Sequence, residues 1–219
     1  MCGRYVVNTP GNQIAQAVGA TEAEAPEVAP SFNIPPGTQQ WVARTDATGN
    51  AVFNQLWWGY RPIWADDKAP RPINARAEKV AASPFFRDAF ARYRCVIPAT
   101  GWYEWQNHAG QKQPYYISID TGLMLFAGIY DPPREDSQGC FAIITQPAAP
   151  SIAQIHPRMP VVLDPECVKG WLDPERQTRD EIKATTRAIN SAQLLAWPVS
   201  LRVNRPANDD SELLKEISL

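Results

Sequence analysis

The chain has 219 residues, 44% of them hydrophobic and 20% charged, with a net charge of −2. This is the balance of a soluble globular protein, long enough for a sizeable core, and it argues against a general nucleic-acid binder with a basic field. No apolar run approaches the length that spans a bilayer, so no membrane partner is expected.

The 21 prolines rule out long uninterrupted helices. Arg4 to Val7 reads as a first strand. Thr9-Pro10 then reads as an N-cap and first helical residue, with Gly19 ending a short helix. Residues 21–37, rich in Ala, Glu and Pro, carry no periodicity and read as a loop wrapping the body. Gln39–Arg44 and Val52–Trp58 flank Asp46-Ala47-Thr48-Gly49-Asn50, a hairpin signal. Trp57 to Pro72 reads as ordered loop. Asn74 is expected to cap a helix through Ala82, and Ser83-Pro84 to start another through about Arg92.

Strands are expected over Cys95–Ile97, Trp102–Gln106, Tyr115–Ile119, Leu123–Ile129 and Phe141–Thr145, with turn residues between them. Short helices follow at Ser151–Ile155, Pro165–Leu172 and Arg179–Ile189. Val199–Val203 reads as one more strand, and Asp210 as the cap of a last helical turn through Ile217. The pattern predicts one α+β domain over residues 1–219, with a curled, barrel-like antiparallel β-sheet core flanked by short helices.

The N-terminus lacks the layout of a signal peptide, so a cytoplasmic protein is expected, with Cys2, Cys95, Cys140 and Cys167 reduced. These cysteines form no CxxC pair and only His108 and His156 accompany them, so neither a metal site nor a cofactor is expected. Of the two histidines, His108 sits in a polar hairpin and His156 is the better functional candidate. The 21 basic residues divide into 15 Arg and 6 Lys. Arginine suits forked contacts with phosphate, so a local Arg-lined cleft is compatible with the acidic whole.

Met1-Cys2 is a substrate pattern for removal of the initiator methionine, which would leave Cys2 with a free α-amine beside its thiol. Such an amine has a pKa of about 7.7–8.0, so on the order of a tenth is neutral and nucleophilic at pH 7. An amine and a thiol on adjacent carbons condense with an aldehyde to an imine, which the thiolate closes to a thiazolidine. Other polar residues lie inside apolar or proline-bounded stretches: Asn33, Asn74, Arg76, Glu104, His156 and Arg158. Glu104, between Tyr103 and Trp105, is either desolvated as an acid or solvent-facing with both aromatics in the core.

Taken in order, Met1-Cys2-Gly3-Arg4, Asn33-Ile34-Pro35-Pro36, Trp58-Gly59, Asn74-Ala75-Arg76-Ala77-Glu78, Cys95–Ala99, Tyr103-Glu104-Trp105, His156 with Arg158-Met159-Pro160, and Val199-Ser200 resemble the SOS-response-associated peptidase family of abasic-site processing proteins. The resemblance implies a monomer whose partner is single-stranded DNA containing abasic sites. Cys2 would be the nucleophile and Asn74 its orienting residue. Glu104 would shuttle protons, and His156 would bind or protonate the sugar oxygen. Arg4, Arg76 and Arg158 would contact phosphates, Pro36 and Trp64 would support unstacked bases, and Asn33 would complete the DNA-binding set.

Two departures stand out. Pro157 replaces the Asp usual between the family's His and Arg, which removes a backbone donor beside His156. The late Val-Asn-Asn of many members reads Val203-Asn204-Arg205. Three functions remain open: covalent capture of abasic sites, a thiol peptidase or N-terminal-nucleophile amidohydrolase using Cys2, and a non-covalent reader of single strands.

Overall fold

The computed structural model describes residues 2–108, 110–135 and 137–219. In chain order the first half comprises β1 (Tyr5–Val7), α1 (Gly11–Val18), β2 (Ser31–Ile34), β3 (Gln39–Thr45), β4 (Ala51–Trp58), β5 (Asn74–Arg76), α2 (Arg87–Arg92) and β6 (Arg94–Ala99). There follow β7 (Gly101–His108), β8 (Gln111–Ile119), β9 (Met124–Asp131), β10 (Cys140–Pro147), β11 (Arg158–Pro160), α3 (Val168–Leu172), α4 (Arg179–Thr185) and β12 (Leu194–Pro198). The α+β class with a curled sheet is as expected.

Two sheets hold these strands. The first has the order β12-β8-β7-β1-β2. The second runs β11-β10-β4-β3-β6-β9, and β9 also pairs with β10, so it closes into a ring. Closure removes exposed edges along that part of the sheet. Antiparallel ladders dominate, but β4 and β5 run parallel to β10.

The β3–β4 hairpin forms where the turn signal placed it. The Asp46 carboxylate accepts from the backbone N–H of Thr48 and Asn50, and Gly49 supplies φ of 87°. Helix α1 ends at Gly19 in the left-handed conformation, as expected, but no side chain caps its start. Four expectations fail. Asn74 opens strand β5 instead of a helix, because its backbone pairs with Ile143 of β10. Residues 31–34, inside the expected loop, form β2 because β1 offers them an edge at Ile34. Ser151–Ile155 is a run of turns, not a helix. Beyond the Val199 bridge to Glu216, Leu201–Asn204 is a 3-10 turn capped by the Ser200 hydroxyl. The turn expected after His108 includes Ala109, which lies outside the described residues.

Tyr5, Trp58, Trp102, Phe126 and Phe141 fill the space between the sheets, with Tyr5 edge-on to Trp58 at 5.1 Å. A second layer covers the far side of the first sheet. There Tyr103 and Tyr116 pack under Val199, Val203 and Leu213 of the C-terminal segment. Strand β7 is therefore covered on both faces.

Gly101 shows how tightly that strand is seated. A Cβ there would stand 2.2 Å from the Tyr116 ring, whose hydroxyl donates to the Thr100 carbonyl at 2.9 Å. Gly101→Ala is expected to destabilise the fold by about 2–3 kcal/mol, the usual scale for overpacking. Denaturant unfolding measures this, and an unchanged midpoint would contradict the packing described.

Candidate active site

Cys2 lies just before β1 and is fully buried. Its carbonyl oxygen accepts a 3.0 Å hydrogen bond from Asn74 Nδ2. The first strand of one sheet is thereby tied to β5 of the other. Asn74 Oδ1 is buried and has no hydrogen-bond partner among the described residues. Burial pushes the Cys2 thiol well above its ordinary pKa, and the nearby Glu104 carboxylate pushes the same way. The resting thiol is protonated.

Glu104 sits on β7, where side chains alternate between faces. Trp102 and Glu104 share the inner face, while Tyr103 and Trp105 share the outer one. The sequence left open whether Glu104 faces solvent. With 2% of its surface exposed it does not, because the C-terminal segment covers the aromatic face instead. Burial raises its carboxyl to a pKa of about 7. Its Oε2 stands 3.9 Å from His156 Nδ1, an ion-pair distance too long for a hydrogen bond.

His156 follows the turns at Ser151–Ile155, which Ile152 and Ile155 anchor in the core. The backbone N–H of Arg158 donates to His156 Nδ1 at 3.0 Å, and the Arg158 carbonyl is also 3.0 Å from that nitrogen. Residue 158 thus supplies backbone contacts to the ring where Pro157 has no N–H to give. The N–H contact suits a bare Nδ1 and the carbonyl contact a protonated one, so the group that binds Nε2 decides which tautomer forms. Burial also lowers the His156 pKa, so the imidazole is neutral at pH 7.

The structure brings Cys2, Asn74, Glu104 and His156 together from four separate segments. The residues expected on DNA divide differently. Pro36 and Arg76 are exposed, and Trp64 is 62% exposed with its ring edge-on to Phe85. Asn33 is 1% exposed and presents no DNA surface. Its Nδ2 donates to the carbonyls of Val203, Arg205 and Asn208, and its Oδ1 accepts from Arg4 Nη1 at 2.7 Å. Arg4 Nη1 also reaches the Val203 carbonyl at 2.9 Å. Both residues bind the C-terminal segment to the strands behind Cys2. Arg158 is turned onto Glu78 through both of its terminal nitrogens.

Glu78 and Thr145, the acceptors around Arg158, were not singled out from the sequence. The signal for Glu78 was present. It lies two residues beyond Arg76, in the turn that follows β5, within the stretch Asn74-Ala75-Arg76-Ala77-Glu78. A separate cavity of about 350 Å³, lined by Phe90, Trp171 and Ile182, shares only Glu78 with these residues. Among the described residues no group of three or more His, Cys, Asp or Glu side chains is placed to hold a metal ion. None of their helices is long and apolar enough to cross a membrane.

Two predictions follow from burial. A carboxyl held near 7 in the fold and near 4.3 when unfolded keeps its proton longer in the native state. Native stability therefore falls as pH rises from about 4 through 7, then levels off. Glu104→Gln lacks this penalty, so its stability relative to the wild type should rise by about 3 kcal/mol between pH 4 and pH 8. Urea unfolding at both pH values checks this, and a pH-independent difference would remove the buried-acid assignment. Asn33→Ala, which removes the amide's bonds to three carbonyls of the C-terminal segment and to Arg4 and takes the amide donor from the Asn208 carbonyl, should cost about 2–4 kcal/mol. A variant as stable as wild type but weak on DNA would return Asn33 to the binding surface.

Residues 1–206 match the family model described as SOS response associated peptidase (SRAP). The abasic site processing protein YoqW of Bacillus subtilis is 32% identical over 98% of this chain and 99% of its own length. The abasic site processing protein YedK of Escherichia coli is 30% identical over 99% of this chain and its full length. A solved structure from Bacteroides thetaiotaomicron superposes with a TM-score of 0.83 at 22% identity, covering 99% of this chain and all of the other. A phage-related protein from Bordetella bronchiseptica reaches 0.74 at 28% identity, covering 90% of this chain and 94% of the other. With a fold shared over its whole length and a family match from the first residue to position 206, the chain belongs to the SOS response associated peptidase family.

Proposed function

We propose that this protein processes abasic sites in single-stranded DNA by forming a covalent adduct through Cys2, acting as a monomer of one domain over residues 1–219. Its relatives carry the name abasic site processing protein. The observation that carries the reading is the meeting of Cys2, Asn74, Glu104 and His156 at one buried point. Removal of Met1, which lies outside the described residues, frees the α-amine.

The chemistry uses what surrounds that amine. The amine adds to the aldehyde carbon of the ring-opened sugar, and the carbonyl electrons move to oxygen. The amine passes one of its protons to this oxygen, and Glu104, protonated near neutral pH by virtue of its raised pKa, supplies the second, so that the oxygen leaves as water and a protonated imine remains. The Glu104 carboxylate so formed takes the proton of the Cys2 thiol. Sulfur then closes on the imine carbon, the C=N electrons return to nitrogen, and the amine is restored within a thiazolidine. The net change is aldehyde plus aminothiol giving thiazolidine and water, with no oxidation or reduction. The unused Oδ1 of Asn74 is an acceptor for the amine or a sugar hydroxyl. In its Nε2–H tautomer, with Nδ1 accepting from the Arg158 N–H, His156 is a donor for the sugar oxygen. Exposed Arg76 serves a flanking phosphate, and Pro36 and Trp64 offer faces for bases.

The test is incubation of the Met1-processed protein with an abasic oligonucleotide. Wild type should give an adduct that survives denaturation without reductant. Cys2→Ala should give only an imine, trapped by borohydride and lost on heating without it. Glu104→Gln should slow adduct formation by roughly 10²-fold. Peptide cleavage without a DNA adduct would favour a thiol peptidase. A stable adduct from protein with a blocked N-terminus would rule out the thiazolidine route.

A further inference from the structure

The fork of Arg158 is occupied by protein. Its two terminal nitrogens donate to the two oxygens of Glu78, one at 2.9 Å, and the second nitrogen also donates to the Thr145 carbonyl at 2.6 Å. The Arg158 side chain is only 16% exposed, whereas that of Glu78 is 46% exposed. The bond from Arg158 is the main reason that the Glu78 carboxyl is held below its ordinary pKa, so Glu78 is a carboxylate at neutral pH. A guanidinium matched to a carboxylate in this way presents little net charge to a phosphate. The backbone of the same residue touches the His156 ring at 3.0 Å. Arg158 therefore joins the reacting cluster to Glu78.

We infer that Glu78 is a built-in competitor for the DNA phosphate, and that it sets how strongly the site holds an intact strand. This rests on the single-strand reading above. A phosphate reaching Arg158 must displace the carboxylate, which is exposed enough to turn into solvent. Binding before the covalent step is thereby kept weak. Undamaged strands leave, and a strand bearing an aldehyde stays because Cys2 captures it. Discrimination comes from the bond formed and not from the affinity of the groove.

The experiment measures affinity for an undamaged oligothymidylate against salt concentration, in the full-length protein. Glu78→Gln keeps the shape and an acceptor for Arg158 but removes the charge. It should bind about 3–10-fold more tightly, with the slope of log affinity against log salt steeper by about 0.7, one phosphate's share on a single strand. The double variant Glu78→Gln with Arg158→Gln should lose that gain. Glu175→Gln, an exposed carboxylate away from the cluster, should match wild type. Unchanged or weaker binding by Glu78→Gln, with thermal melting showing it folded, would overturn the inference. So would an equal gain from Glu175→Gln, which would make the effect one of overall charge. Absence of single-strand binding by wild type would overturn the DNA reading itself, and this inference with it.

Discussion

A carboxyl group stands where the two sheets meet, and its burial constrains everything around it. Burial in an apolar interior disfavours the ionised form of a carboxyl, so Glu104 is half protonated near neutral pH, close to His156 and electrostatically coupled to Cys2. Keeping it there requires both faces of β7 to be covered. Trp102 and the inter-sheet aromatics cover one face, and the C-terminal segment covers Tyr103 and Trp105 on the other. The reactive properties of the site and the wrapped topology of the chain share this cause.

Three arginines serve as struts inside the fold. Arg94, 4% exposed, donates to the carbonyls of Phe90, Ala91, Trp171 and Asp173, closing the ends of α2 and α3. Arg4 fastens the C-terminal segment, and Arg158 fastens the residues after β5. Each spends the several directed donors that lysine lacks. An excess of Arg over Lys in an acidic protein is therefore explained partly from inside the fold.

The sequence showed most of what depends on neighbours along the chain. The Asp46–Asn50 turn, the Gly19 stop and the central strands carry their causes within a few residues. It also showed which residues meet at the site, through ordered motifs. It did not show Asn74 as a strand residue, because β5 is only three residues long and exists through pairing with β10, about seventy positions away. Nor did it decide the direction of Glu104. Alternation gives two faces but not their surroundings, and the deciding element, the segment around Val199–Leu213, is almost a hundred residues distant. Nor did it show what holds Asn33, whose partners, the carbonyls of residues 203, 205 and 208, lie about 170 positions away.

The hydrogen bond from Arg4 to the Val203 carbonyl joins residues 199 positions apart. It therefore cannot exist until nearly the whole chain has left the ribosome, on the order of 10–40 s after the N-terminus emerges. Throughout that interval Cys2 is free of the core that will enclose it. For the proposed chemistry this order matters, since Cys2 is fully buried once folding is complete. An aminopeptidase reaches Met1 on the nascent chain more readily than on the finished protein. Under that proposal, translation speed and the late docking of the C-terminal segment set the interval in which Cys2 is accessible.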